Sequence, residues 1–189
     1  MKELNRREFL ALSGAAVVAL SLAGCGGGPS TPVAPTGKEA ELVEAINKVW
    51  KEKFDAGQVT YEKLTFNQDA VRAVRGYGRV FEKANETPHK LTPSDYAIVL
   101  EESDGFEAEM LKKYGENSLA GAAGVSEPSS ENVVTLECEY SCEDAAVRAF
   151  VEKLLSNSDS RKAEFISVYL PVVQGKTYMT AVVFRNNKA

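Results

Sequence analysis

From Phe9 to Ala23 the chain runs for fifteen residues without a charge, and this run decides which part of the sequence is free to build a domain. A basic start (Lys2, Arg6, Arg7) precedes it, and the small residues Ala23 and Gly24 close it ahead of Cys25. This is the plan of a secretory signal, not of a helix in a mature fold. As helix, fifteen residues rise only about 22 Å, short of the ~30 Å hydrocarbon core, so a retained membrane span is not expected. Residues 26–38 are almost wholly Gly, Pro, Ser and Thr and read as a tether, part flexible and part extended. Residues 39–189 remain, about 150 residues, the usual size of one domain with one core.

Two short motifs refine the address. Asn5-Arg6-Arg7-Glu8-Phe9-Leu10 resembles the twin-arginine export signal, with Asn5 where Ser or Thr is usual. Leu22-Ala23-Gly24-Cys25 resembles the bacterial lipobox, in which the cysteine thiol takes a diacylglycerol and the signal is cut before it. The resemblance implies lipid attachment at Cys25 and an extracytoplasmic location on a bacterial membrane. Two or more acyl chains, at about 0.8 kcal/mol per buried methylene, make such an anchor stable.

Charge excludes some partners. Of 22 basic and 27 acidic residues, three and two lie within the first 25, so the remainder carries 19 against 25, a net charge of −6. No nucleic-acid ligand is expected of such a balance, nor a basic patch pressed on anionic lipid. Cys138 and Cys142 are the cysteines left to the domain. An exported chain makes a disulfide between them the expectation, with two free buried thiols as the alternative, and a lone Cys-x-x-x-Cys without histidines is a poor zinc site. Neither a metal nor a cofactor is expected.

Within the domain, Thr36 and Glu39 have capping-box spacing, and Leu42, Ile46, Val49, Trp50 and Phe54 recur at helical intervals before Gly57. Trp50 belongs to this apolar stripe and is expected in the core. Asn67 is an N-cap candidate for a second helix running to Ala84, with Phe66 and Val71 spaced as a staple. Gly76 and Gly78 inside it predict close helix packing. Thr92-Pro93 opens a third helix ending near Gly105, and Phe106–Tyr114 a short fourth.

Gly115 to Ser130 reads as loop with one short strand. Val134, Leu136, Cys138 and Tyr140 then alternate with polar residues, the period of a strand with one wet face. Ser141 and Asp144 suggest a further cap before a helix carrying Val147, Phe150, Val151, Leu154 and Leu155. Phe165–Val173 and Thr177–Phe184 flank Gln174-Gly175-Lys176 as a terminal hairpin. Helices followed by strand, helix and two strands predict an α+β fold with an antiparallel sheet packed on helices.

Several motifs in this order resemble one family. Leu42–Lys51 with Ala45-Ile46-Asn47 resembles the opening helix of the CAP superfamily (the SCP-like group of cysteine-rich secretory, antigen 5 and pathogenesis-related proteins), and Leu64-Thr65-Phe66-Asn67 with Val71 and Ala73 its second. Gly115-Glu116-Asn117-Ser118-Leu119-Ala120-Gly121 resembles its GEN segment, and Ala146–Phe150 its late helix. The bacterial branch is the nearer likeness. The resemblance implies a three-layer α-β-α sandwich with a mainly antiparallel central sheet.

It also implies a cleft. Thr87-Pro88-His89 falls where the family has its first site histidine, and Glu116 where it has a site glutamate; the expected cleft set is His89, Glu116, Asn117 and Ser160. The second histidine is absent, since Ser158-Asp159-Ser160-Arg161 stands in its place and His89 is the only histidine of the chain. His89 is otherwise an exposed turn histidine and Glu116 an ordinary loop acid. Without a nucleophile, base and metal set, a catalytic site has only His89 and Glu116 as candidates. A non-enzymatic binder of a lipid-like small molecule, envelope polymer or partner protein is the leading expectation. The alternative is a cell-envelope hydrolase using His89 and Glu116, and a third is a scaffold subunit.

Overall fold

The computed structural model describes residues 37–188. The expectations for the signal, for lipid attachment at Cys25 and for most of the tether lie outside the described residues. In chain order the elements are α1 (Gly37–Asp55), β1 (Thr65–Phe66), α2 (Arg72–Ala84), β2 (His89–Lys90), α3 (Pro93–Ser103), α4 (Phe106–Tyr114), β3 (Leu119–Ala123), β4 (Val133–Val134), α5 (Asp144–Leu154), β5 (Phe165–Tyr169), β6 (Val172–Val173), β7 (Lys176–Thr177) and β8 (Thr180–Phe184). Single 3₁₀ turns at Gln68–Ala70 and Ser158–Lys162 link them. None of the described helices is long and apolar enough to cross a membrane.

The main sheet has the order β1-β5-β8-β3. β5 and β8 pair antiparallel from Phe165 opposite Phe184 to Tyr169 opposite Thr180, β3 is antiparallel to β8, and only the short β1 runs parallel, beside β5. Side chains of β5 and β8 alternate between two cores. Ile166, Val168, Ala181 and Val183 meet the stripe of α1 (Leu42, Ile46, Val49, Trp50) and that of α5 (Val147, Phe150, Val151, Leu154). Phe165, Val182 and Phe184 turn to the other side, against Val74 of α2 and Phe106, Met110 and Tyr114 of α4. The result is an α+β protein in three layers, α-β-α. Each buried Val, Leu, Ile or Phe contributes about 1.5–3 kcal/mol, so both helical layers are held mainly by these faces.

The helix starts differ in their caps. Thr92 and Asp95 form the full reciprocal capping box of α3, with Pro93 in the first turn. Asn67 does cap, but its side chain accepts from the Asp69 N–H and so opens the 3₁₀ turn; α2 itself begins at Arg72. At α5 the cap residue is Glu143, whose N–H is taken by the Ser141 hydroxyl. The two glycines of α2 serve different neighbours. A Cβ on Gly76 would lie 3.3 Å from Val99 Cα on α3, which is the close helix packing expected, whereas one on Gly78 would sit 2.4 Å from the Tyr169 ring of the sheet.

The predicted strand from Val134 is shorter than its alternation suggested. β4 holds only Val133 and Val134, paired to β2; beyond it the chain makes single bridges at Leu136 and Glu139, and Cys138 and Tyr140 keep strand-like bonds to Met179 and Thr177. The terminal hairpin is interrupted at Leu170-Pro171, so β6 and β7 form its tip around Gln174 and Gly175, both left-handed. A proline cannot donate to the ladder, and the pairing breaks there.

Candidate functional site

His89 lies on β2, opposite Val134 of β4. Its side chain is buried, not the exposed turn side chain of one reading, and both ring nitrogens are engaged by carboxylates. Nδ1 is 2.6 Å from Glu86 Oε1 and Nε2 is 3.0 Å from Asp95 Oδ2. Asp95 Oδ2 also accepts from the Thr92 N–H (2.8 Å) and the Thr92 hydroxyl (2.7 Å) as the acid of the α3 capping box. An imidazole that donates to two carboxylates at once has to be doubly protonated. Burial alone pulls the His89 pKa down, but the bonds to Glu86 and Asp95 outweigh it and hold the ring above its ordinary value. Burial likewise pushes Asp95 up, yet Thr92 and His89 hold its carboxyl below the usual range.

Glu116 and Asn117 sit on an exposed turn after α4. The turn is fastened through its backbone: Asn187 Nδ2 donates to the Glu116 carbonyl at 2.8 Å and to the Asn117 carbonyl at 2.9 Å, and Asn117 is left-handed (φ 53°). The Glu116 carboxylate forms no ion pair among the described residues. Ser160 is fully buried. Its hydroxyl donates to the Ala120 carbonyl at 2.9 Å, and it fills the space left open by Gly121 on β3. Arg185 draws the Glu116 turn and the Ser160 turn together, its N–H donating to the Ser118 carbonyl and Nη1 lying 3.2 Å from Asp159. His89 has no part in that arrangement. The expected cleft of His89, Glu116, Asn117 and Ser160 is therefore not assembled: His89 joins its own segment to the start of α3, Glu116 and Asn117 lie in an exposed turn, and Ser160 is packing.

Cys138 and Cys142 are both free thiols, which corrects the expected disulfide. The backbone explains it. Cys138 leans on the core under α1 and α5, where burial raises its pKa. Cys142 has passed beyond the strand-like stretch onto the surface, its thiol 3.4 Å from the Tyr140 hydroxyl. Among the described residues no group of three or more His, Cys, Asp or Glu is placed to hold a metal ion.

Sequence reasoning missed a groove of about 380 Å³ between the Glu41–Val49 stretch of α1 and the start of α5. Glu41, Glu44 and Lys48 wall one side, Cys142 and Asp144 the other, and Val147 lies in its floor. Next to it Tyr140 donates to Glu41 Oε2 at 2.8 Å, while Lys38 stands 5.1 Å from the Tyr140 ring centroid and donates to Thr177 Oγ1 at 2.9 Å. The acids of α1 read in the sequence only as the wet side of an amphipathic helix. Their meeting with Cys142 and Asp144 depends on how two helices a hundred residues apart pack. Glu102 was also missed: it is buried between Arg75 (2.6 Å) and Arg79 (2.7 Å) of α2, which outweigh burial and keep its pKa low.

Comparison of the chain with known protein families, with curated proteins and with solved structures found no match.

Proposed function

We propose that this chain is a lipid-anchored, extracytoplasmic CAP-like binding module without catalytic activity. The observation that carries the reading is the use made of His89, the only histidine of the chain. With Nδ1 on Glu86 and Nε2 on Asp95, the ring has no lone pair to offer as a base and no free N–H to offer as an acid. Ser160 donates its hydroxyl to a backbone carbonyl inside the core and is out of reach of any substrate. The α-β-α layering is the one that the CAP resemblance implies.

For the ligand, the groove between α1 and α5 favours a partner protein or envelope polymer bearing amino groups. Its walls hold three carboxylates, of which Glu44 lies 3.5 Å from Lys48 and Asp144 2.6 Å from Arg148, so that an amino group would join these pairs.

The test uses two variants. Cys25→Ala releases the protein from the membrane fraction with its far-UV spectrum and buried Trp50 fluorescence unchanged; retention on the membrane overturns the anchor. Turnover of a cell-wall peptide or glycan that Glu116→Ala abolishes overturns the non-catalytic reading.

A further inference from the structure

We draw no further inference here: the strongest candidate, the exposed Cys142 thiol in the wall of the groove between α1 and α5, belongs to the site already described, and nothing else in that groove marks a ligand for it, since Glu41, Glu44 and Asp144 are each held by a neighbour in this chain, Tyr140, Lys48 and Arg148.

Discussion

Ser160 Oγ occupies the position next to Gly121 where a side chain would begin: a Cβ built on Gly121 would lie 2.1 Å from that oxygen and 2.8 Å from the Leu154 carbonyl. Strand β3 therefore approaches the end of α5 and the 3₁₀ turn as bare backbone. Gly121→Ala is expected to cost about 1–3 kcal/mol, the range for overpacking a filled core. Ser160→Gly in the same chain removes the nearer clash but not the carbonyl, so the double variant recovers part of the loss and the two changes are non-additive. Urea unfolding followed by Trp50 fluorescence measures both.

A second prediction concerns Asp95. Its folded-state pKa is held below the ordinary 3.8, so its stabilising effect is fully present above 3.8 and disappears as pH falls through the lower, folded value. Asp95→Asn should cost about 1–2 kcal/mol at pH 6, where charged hydrogen bonds from Thr92 and His89 are lost. The difference from the parent should vanish in acid. Denaturant titrations at pH 6 and pH 2.5 give the comparison, and an equal loss at both would assign Asp95 a packing role only.

Glu102 joins α2 to α3 with a carboxylate that is 8% exposed between Arg75 and Arg79. Removing the charge strands two guanidinium groups that are themselves partly hydrated, so Glu102→Gln is expected to cost roughly 2 kcal/mol, less than a fully buried pair. Its pKa too is lowered, from 4.5, so this contribution is present at neutral pH and lost on acidification. Thermal unfolding at pH 7 should show the loss, and Arg79→Lys should reproduce only a fraction of it.

Thiol chemistry separates the two domain cysteines. In the Cys25→Ala chain, Cys142 is exposed and should react with a disulfide reagent at once under native conditions. Cys138 is half-buried, with its pKa raised first of all by burial, and should react much more slowly until the protein is unfolded. Finding no reactive thiol before reduction would restore the disulfide expected from export to an oxidising compartment.

What the sequence disclosed was what repeats along the chain. The stripe from Leu42 to Trp50, the Thr92-Pro93 start and the β-rich runs Phe165–Val173 and Thr177–Phe184 around Gln174-Gly175-Lys176 each carry a period, a cap chemistry or a composition that local physics enforces. The candidate cleft was not legible in that way. His89, Glu116 and Ser160 were joined by resemblance alone, and their partners follow from contacts that no period announces: an acid at i−3 and a capping acid for His89, Asn187 for Glu116, and Gly121, 39 residues earlier, for Ser160. Asp95 had a visible signal in its capping-box position after Thr92. Its second task, holding His89, needed β2 to turn back over α3.

The contact of Lys38, Tyr140 and Glu41 at the start of α1 has a mechanical meaning. If the domain hangs from a lipid, any drag on it enters through Gly37 and is carried along the axis of a helix lying flat on the sheet. Peeling that helix would break its contacts one turn at a time, beginning where the apolar stripe has yet to start. Lys38 and Glu41 fasten that first turn to Thr177 and Tyr140, so such a pull would pass to the short β6–β7 sheet at the tip of the terminal hairpin. On an anchored chain, the polar clamp beside the groove would also serve as strain relief.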